Sequence, residues 1–503
     1  MTGQLFLGAL RTAPARCSPV GFFHNPRFNT TISRSSGRRS LLTLAIETSC
    51  DDTCVAVVEK SGAAARLLFN RKVTSDNTAF GGVHPGLAIL SHTATLPGLV
   101  EEAIRALPSD GTGDGRFGHR LPDFISVTRG PGMSTNLAVG INVAKGLAVA
   151  WKVPLLAVHH MQAHALTPRL VNALQRPWPS SSPSSTPTAS GTTPPQHPPT
   201  PAFPFLTLLV SGGHTQLVLS RSVTSHSILA NSSPLAIGNM LDATARLVLT
   251  PSTLAASSSV SYGPALEEFA FPGSLHDDGG EGNPSNSPSN TYDYGYTPPP
   301  SRRDEIATFT SSHGWTLTPP LANRRAMEYC FSGLGSQVQR IIEARLLAGE
   351  ELDIEERRAL AIATMRLAFE HLATRIIFAL GDLKLQEKEM RKKQGGQGEI
   401  VLTLVLSGGV ASNRFMRHVI RSILDVRGFG HVRIVAPPVE LCTDNAAMIA
   451  WTGIEMWEAG YESGLDVCAI KKWSVDPTHE DGGILGVDSC NFKIRPSDRR
   501  CMI

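Results

Sequence analysis

Long apolar runs are missing from this 503-residue chain. Its most apolar stretch, residues 137–158, carries Lys145 and Lys152. It reads as a buried helix followed by a strand, and no membrane insertion is expected. Cysteine is sparse and scattered: of eight, only Cys50 and Cys54 stand close together. Their spacing suits neither a redox pair nor a zinc knuckle, which predicts reduced thiols in a matrix-like compartment. Acidic residues are absent before Glu47, whereas Arg11, Arg16, Arg27, Arg34, Arg38 and Arg39 all occur there among frequent Ser and Thr. That composition predicts a mitochondrial transit peptide over residues 1–40 and a location in the matrix. Those six arginines exceed the formal net charge of +3, so the remainder has no basic excess. Any nucleic-acid contact must then come from a local basic patch.

What is present suffices for two cores, with 41% hydrophobic residues and 18% charged. Residues 41–60 read as strand, polar turn, strand, with Glu47, Thr48, Ser49, Asp51 and Asp52 in the turn. Helical patterns follow around 92–107, from the RGPGMS turn at 129–134 through Gly146, and over 340–380. A charged loop is expected over 386–397. Residues 176–203 are almost wholly Pro, Ser and Thr, and 271–303 are rich in Gly, Asn, Ser, Asp and Pro. Neither can supply a core, and both read as insertions into a folded frame.

Two segments resemble each other. FLTLLVSGGHTQLVL (205–219) and VLTLVLSGGVASNRF (401–415) both run from an apolar strand into Ser-Gly-Gly. Paired glycines let backbone amides approach a phosphate without obstruction. With the polar hairpin at 47–53, the pair suggests two related lobes around one nucleotide cleft.

VHHMQAH (158–164) lies between the apolar helix and the first insertion. On a helix, His160 and His164 are one turn apart and share a face, a spacing that lets two imidazoles reach one metal ion. Two histidines at this spacing are also common as plain surface or capping residues. Zinc peptidases add a general-base Glu directly after the first histidine, but Met161 occupies that position. A small-molecule kinase or ATPase would fit the glycine turns but would hold Mg²⁺ through carboxylates and phosphates.

Taken together, AIETSCDD, FGGVHP, RGPGMSTNL with GINVAKGLA, VHHMQAH, LLVSGGHTQLVL, YGPALEEFA, CFSGL, LSGGVASNR and ELCTDNAAMIAWTG resemble the tRNA N6-adenosine threonylcarbamoyltransferases, in particular their mitochondrial branch. The resemblance runs in family order over about 43–475. It implies an α/β fold of the two-lobed actin-like ATPase superfamily, built from duplicated ribonuclease H-like domains. The implied division is an N-terminal lobe at 41–170, to which a helix at about 446–475 returns, an insertion at 171–203, a second lobe at 204–445 carrying the 271–303 insertion, and a tail at 476–503. The implied metal ligands are His160, His164 and Asp444, holding one divalent iron or zinc ion. Implied substrate contacts are Leu209, Val210, Ser211, Gly212, Gly213, Asp242, Gly263 and Asn413, with Asp242 on ribose hydroxyls. Glu47 and Lys145 fall in matching motifs near the cleft, without an assigned role, and His159 reads as a packing residue. The implied partners are tRNA, threonylcarbamoyl-AMP from a separate synthase, and a second copy of the chain. No protein nucleophile is expected, because the donor is already an activated mixed anhydride.

Overall fold

The computed structural model describes residues 40–80, 82–109, 118–179, 198–256, 261–274, 292–394, 400–486 and 492–494. The expected transit peptide, apart from Ser40, lies outside them, as do 180–197 and 275–291 within the two expected insertions.

The first sheet contains β1 (Leu41–Glu47), β2 (Asp52–Ser61), β3 (Ala64–Thr74), β4 (Phe124–Gly130) and β5 (Leu155–His159). The second contains β6 (Phe205–Val210), β7 (Thr215–Ser220) and β8 (His226–Ser232). A short pair, β9 (Phe309–Thr310) and β10 (Thr316–Leu317), stands apart, and β11 (Glu328–Tyr329), β12 (Thr403–Ser407) and β13 (Arg433–Val435) return to the second sheet. The last strands, β14 (Tyr461–Ser463) and β15 (Phe492–Ile494), close the first.

Within the first sheet the order is β15-β14-β5-β4-β1-β2-β3, and within the second β11-β8-β7-β6-β12-β13. In both, a three-stranded antiparallel meander is extended by two parallel strands beside its first member. The same order in each half is the duplicated ribonuclease H-like plan expected of the two-lobed superfamily.

Helices cover both sheets. The N-terminal ones are α1 (Pro85–Arg105), α2 (Ser134–Trp151) and α3 (His160–Leu174). The middle ones are α4 (Ile237–Val248), α5 (Pro251–Ala256), α6 (Gly263–Ala270), α7 (Arg302–Glu305), α8 (Ser332–Leu347) and α9 (Ile354–Gln394). Then come α10 (Arg414–Val426), α11 (Val439–Cys442), α12 (Ala446–Glu458) and α13 (Gly483–Gly486). β1 is apolar apart from Thr43 and Glu47 because both its faces are covered. Leu42, Leu44 and Ile46 pack with the residues of α1 and α2, and Ala45 packs with those of α3 and α12. Among the described residues, no helix is long and apolar enough to cross a membrane.

Several expected boundaries move. The charged run after 386 is helical, not a loop, through Gln394. Glu, Lys, Arg and Gln are good helix formers, and Arg391 pairs with Glu387 one turn away at 2.7 Å. The expected 340–380 helix is two helices, separated around Gly349 at φ 72°. The helix expected to 475 stops at Glu458, where Gly460 turns the chain at φ 90° into β14. The expected tail is packed in part: Ile484 buries with Met161, Leu209, Val218, Trp473 and Val475. Helix α3 runs four residues into the first expected insertion. Within the second, Tyr294 packs on Phe271 and Phe415.

Candidate metal and nucleotide site

The site forms where β1, β4 and β5 end. His159 closes β5, and its Nδ1 accepts the Met161 and Gln162 amides, capping α3. Its Nε2 meets the Trp473 carbonyl at 3.1 Å. Burial pushes His159 down to about 3, so this ring is neutral and structural, in line with a packing role.

The cap places His160 in the first turn of α3 and His164 one turn later, with ring centroids 4.7 Å apart and planes at 87°. Asp444 arrives from the other side of the fold. Asn445 fixes its turn by capping α12 through the Met448 amide and by donating to the carbonyls of Leu441 and Thr443. Asp444 Oδ1 then lies 3.1 Å from His164 Nε2 and 3.4 Å from His160 Nε2. All three ligand atoms fall within 4.8 Å of one another.

Sequence reasoning left Glu47 without a role, and the geometry supplies one. It is fully buried at the end of β1, and its Oε2 accepts from His160 Nδ1 at 3.0 Å and from Thr128 Oγ1. Its Oε1 takes the Ser49 amide. Holding Nδ1–H turns Nε2 toward Asp444, the arrangement that orients an imidazole for a metal, which would displace the Nε2 proton. Burial opposes charge here, yet Asp444 and Glu47 together push His160 up to about 10, and His160 holds Asp444 well below the usual carboxylate range. Two imidazole nitrogens and one carboxylate oxygen, with further positions open, suit a divalent metal ion. His164 Nδ1 is buried with no hydrogen-bond partner, so Nε2 is the nitrogen this ring offers.

The two Ser-Gly-Gly turns lie against this center. Ser407 Oγ donates to the His164 carbonyl at 3.0 Å. A Cβ on Gly408, at φ 95°, would stand 2.4 Å from the Val210 carbonyl oxygen, so the two turns touch backbone to backbone. A Cβ on Gly238 at the start of α4 would meet the Ser211 carbonyl at 2.7 Å. His214 closes the first turn, where burial and the His160–His164 pair push it down to about 4. Sequence reasoning did not single it out, although its place directly after the glycine pair was a signal.

The expected substrate contacts divide by exposure. Leu209 and Val210 are buried, so only their backbone is available, whereas Gly212 and Gly213 are exposed. Asp242 Oδ1 accepts the Tyr262 amide at 2.8 Å, and its carboxylate also accepts the Gly263 amide. A Cβ at Gly263 would meet open space. The Asn413 side-chain oxygen caps α10 through the Met416 amide, which leaves its NH₂ as the end that can serve a ligand. Glu267 on α6 accepts the Phe415 amide and so joins the Asp242–Gly263 region to Asn413. Lys145 lies on α2 and forms no ion pair among the described residues. His92 braces the polar hairpin, meeting Thr53 Oγ1 at 2.8 Å and the Cys50 carbonyl at 2.9 Å.

A family model described as tRNA N6-adenosine threonylcarbamoyltransferase matches residues 67–191, 188–278 and 282–451. The chain belongs to the tRNA N6-adenosine threonylcarbamoyltransferase family. It is similar to the mitochondrial tRNA N6-adenosine threonylcarbamoyltransferase of Schizosaccharomyces pombe, 34% identical over 87% of each chain. It is also similar to the Cereibacter sphaeroides (strain KD131) enzyme, 31% identical over 87% of this chain and 95% of that one. The Agrobacterium fabrum enzyme is 30% identical over the same shares. As a threonylcarbamoyltransferase the chain is a transferase acting on tRNA. His160, His164, Asp444 and both Ser-Gly-Gly turns fall inside the matched segments.

Proposed function

We propose that this transferase moves the threonylcarbamoyl group from threonylcarbamoyl-AMP to N6 of the adenosine 3′ of the anticodon, in mitochondrial tRNAs reading codons that begin with A. The observation that carries this reading is the His160–His164–Asp444 cluster lying directly against two touching Ser-Gly-Gly turns. In the step, the N6 amine attacks the carbamoyl carbon, a C–N bond forms, the mixed-anhydride C–O bond breaks, and AMP leaves while the amine loses a proton.

His160, His164 and Asp444 would hold one iron or zinc ion. When bound, such an ion supplies charge that orients and polarises an oxygen-rich substrate. The amides of Gly212 and Gly213, at the exposed end of the 209–213 segment whose Ser211 amide already donates to the His214 carbonyl, would bind the adenylate phosphate, with Asn413 on the nucleoside. Asp242 would take ribose hydroxyls with the carboxylate lone pairs its backbone partners leave free, beside Gly263. Positioning an already activated donor is what such a site must do, and no protein nucleophile is needed. Met161 is packed into a buried cluster with Trp473, so the general base of a histidine-pair peptidase has no counterpart.

The Arg-rich, acid-free N terminus and the named mitochondrial relative support action in the mitochondrial matrix. We take the adenylate to come from a separate synthase and the working form to be a homodimer. The test supplies purified protein with threonylcarbamoyl-AMP and an A-starting-codon tRNA and reads modified adenosine by mass spectrometry. Absence of product from folded, metal-loaded protein would sink the reading. Asp444→Ala is expected to abolish product and metal retention while the fold survives.

A further inference from the structure

Arg302, Arg324, Arg325 and Arg427 line an open cleft of about 620 Å³ on the second lobe, with no acidic side chain in its wall. Two carboxylates stand behind them. Glu305 pairs with Arg302 at 2.6 Å and Arg427 at 3.2 Å, and Asp382 pairs with Arg325 at 3.3 Å. Phe378 belongs to the cleft wall. The guanidinium carbons of Arg325, Arg302 and Arg375 lie 4.8, 5.6 and 5.8 Å from its ring center. Arg375 is itself fully buried. Its Nε donates to the Glu328 carbonyl, but Nη1 and Nη2 have no hydrogen-bond partner. Four guanidinium groups thus line the cleft and buried Arg375 stands behind them, against the carboxylates of Glu305, Asp382 and Glu328, which leaves cationic charge in excess.

This excess is local. Beyond the arginine-rich N terminus the chain has no surplus of basic residues, so phosphate contacts to a polyanion must concentrate in patches such as this one. Guanidinium groups suit phosphate oxygens because their donors form a planar fork. The cleft is too far from the nucleotide turns to serve the adenylate. Arg427 and Asn413 flank opposite ends of α10, whose 13 residues span about 20 Å.

We propose that this arginine cleft holds backbone phosphates of the tRNA substrate, away from the reacting adenosine. The proposal rests on the tRNA-transferase reading above. Arg324 and Arg325 are the exposed members, and removing them leaves the Glu305 network and buried Arg375 in place.

The test measures tRNA affinity of the purified protein over a salt series, together with steady-state modification, for the wild type, R324A/R325A and R324K/R325K. In R324A/R325A, tRNA affinity is expected to fall roughly 5–30-fold and the salt slope to flatten by about 1–2, one unit per lost phosphate contact. KM for tRNA rises while kcat is kept. The lysine pair restores the salt slope and part of the affinity, because the charge returns without the planar fork; a purely structural role would not restore the salt slope. Unchanged affinity and slope in R324A/R325A, with an active wild type, overturn the proposal and leave an acidic protein partner as the cleft's occupant. A wild type that neither binds nor modifies tRNA overturns the tRNA-transferase reading itself.

Discussion

Gly408→Ala tests the claim that the two glycine turns are locked together. Gly408 has φ 95° and ψ 165°, a region open in practice only to glycine and costing on the order of 1–3 kcal/mol for other residues. The new methyl would also stand 2.4 Å from the Val210 carbonyl oxygen and 2.9 Å from its carbonyl carbon. Those are backbone atoms of a central strand, so no flexible side chain can move aside. Overpacking of this kind adds roughly 1–3 kcal/mol. Together the two effects predict a loss of about 2–6 kcal/mol, a large part of the ~5–15 kcal/mol that ordinarily holds a fold together. The neighboring Gly409 has no positive φ and open space at its Cβ. Gly409→Ala is therefore the internal control, expected within about 1 kcal/mol of the parent. Urea denaturation followed by circular dichroism reads both. If Gly408→Ala unfolds within 0.5 kcal/mol of Gly409→Ala on this assay, roughly the scatter of such comparisons, the backbone-to-backbone contact is not what the geometry says it is.

Glu47→Gln keeps the shape of the side chain but removes the charge that fixes the His160 ring. Metal affinity measured by chelator competition is expected to drop about 10–100-fold with the fold retained, and an unchanged affinity would show that Glu47 does not orient the ligand. Burial pushes Glu267 up to about 7, against an ordinary value of 4.5. The folded state therefore keeps this proton after the unfolded chain has lost it. Its contribution to stability is largest below pH 4.5, falls as the pH climbs toward 7, and levels off above, by at most about 3 kcal/mol. Glu267→Gln should flatten that part of the stability–pH curve, and an unaltered slope between pH 4.5 and 7 would refute the assignment.

How much of this could be read in advance depends on whether the partners are close in the chain. The His160–His164 spacing and both Ser-Gly-Gly turns are local patterns, and the structure brings them together. Asp444 is 280 residues from His164, and no local pattern connects them; only the family resemblance does. Glu47 was visible as a polar residue ending a strand, but its role depends on where β1 ends relative to α3, which is tertiary information. The run after 386 misled because its charges show no apolar period, although its residues favor helix. The C-terminal segment carries turn residues at 476–486 that read as a tail, yet Asp476 accepts the Ile228 amide at 2.7 Å, tying it to the second sheet.

The His160–His164–Asp444 cluster and the two Ser-Gly-Gly turns are physically a single unit. β12 ends in Ser407, whose hydroxyl holds the His164 carbonyl, and the next residue, Gly408, presses on Val210 at the end of β6. Leu209 on that strand packs in the same cluster as Met161, which lies between the two histidines. A shift at the glycine turns therefore has two direct routes to α3, one through a hydrogen bond and one through packing. Cores this dense respond to strain by moving whole elements, not by local compression. The strain of Gly408→Ala should therefore reach the histidines as well as the amides of the glycine turns. A Gly408→Ala protein that still folds is expected to bind metal more weakly than the Gly409→Ala control, although neither position touches a ligand. Equal metal affinity in the two variants would mean that the center is held by α3 and Glu47 alone.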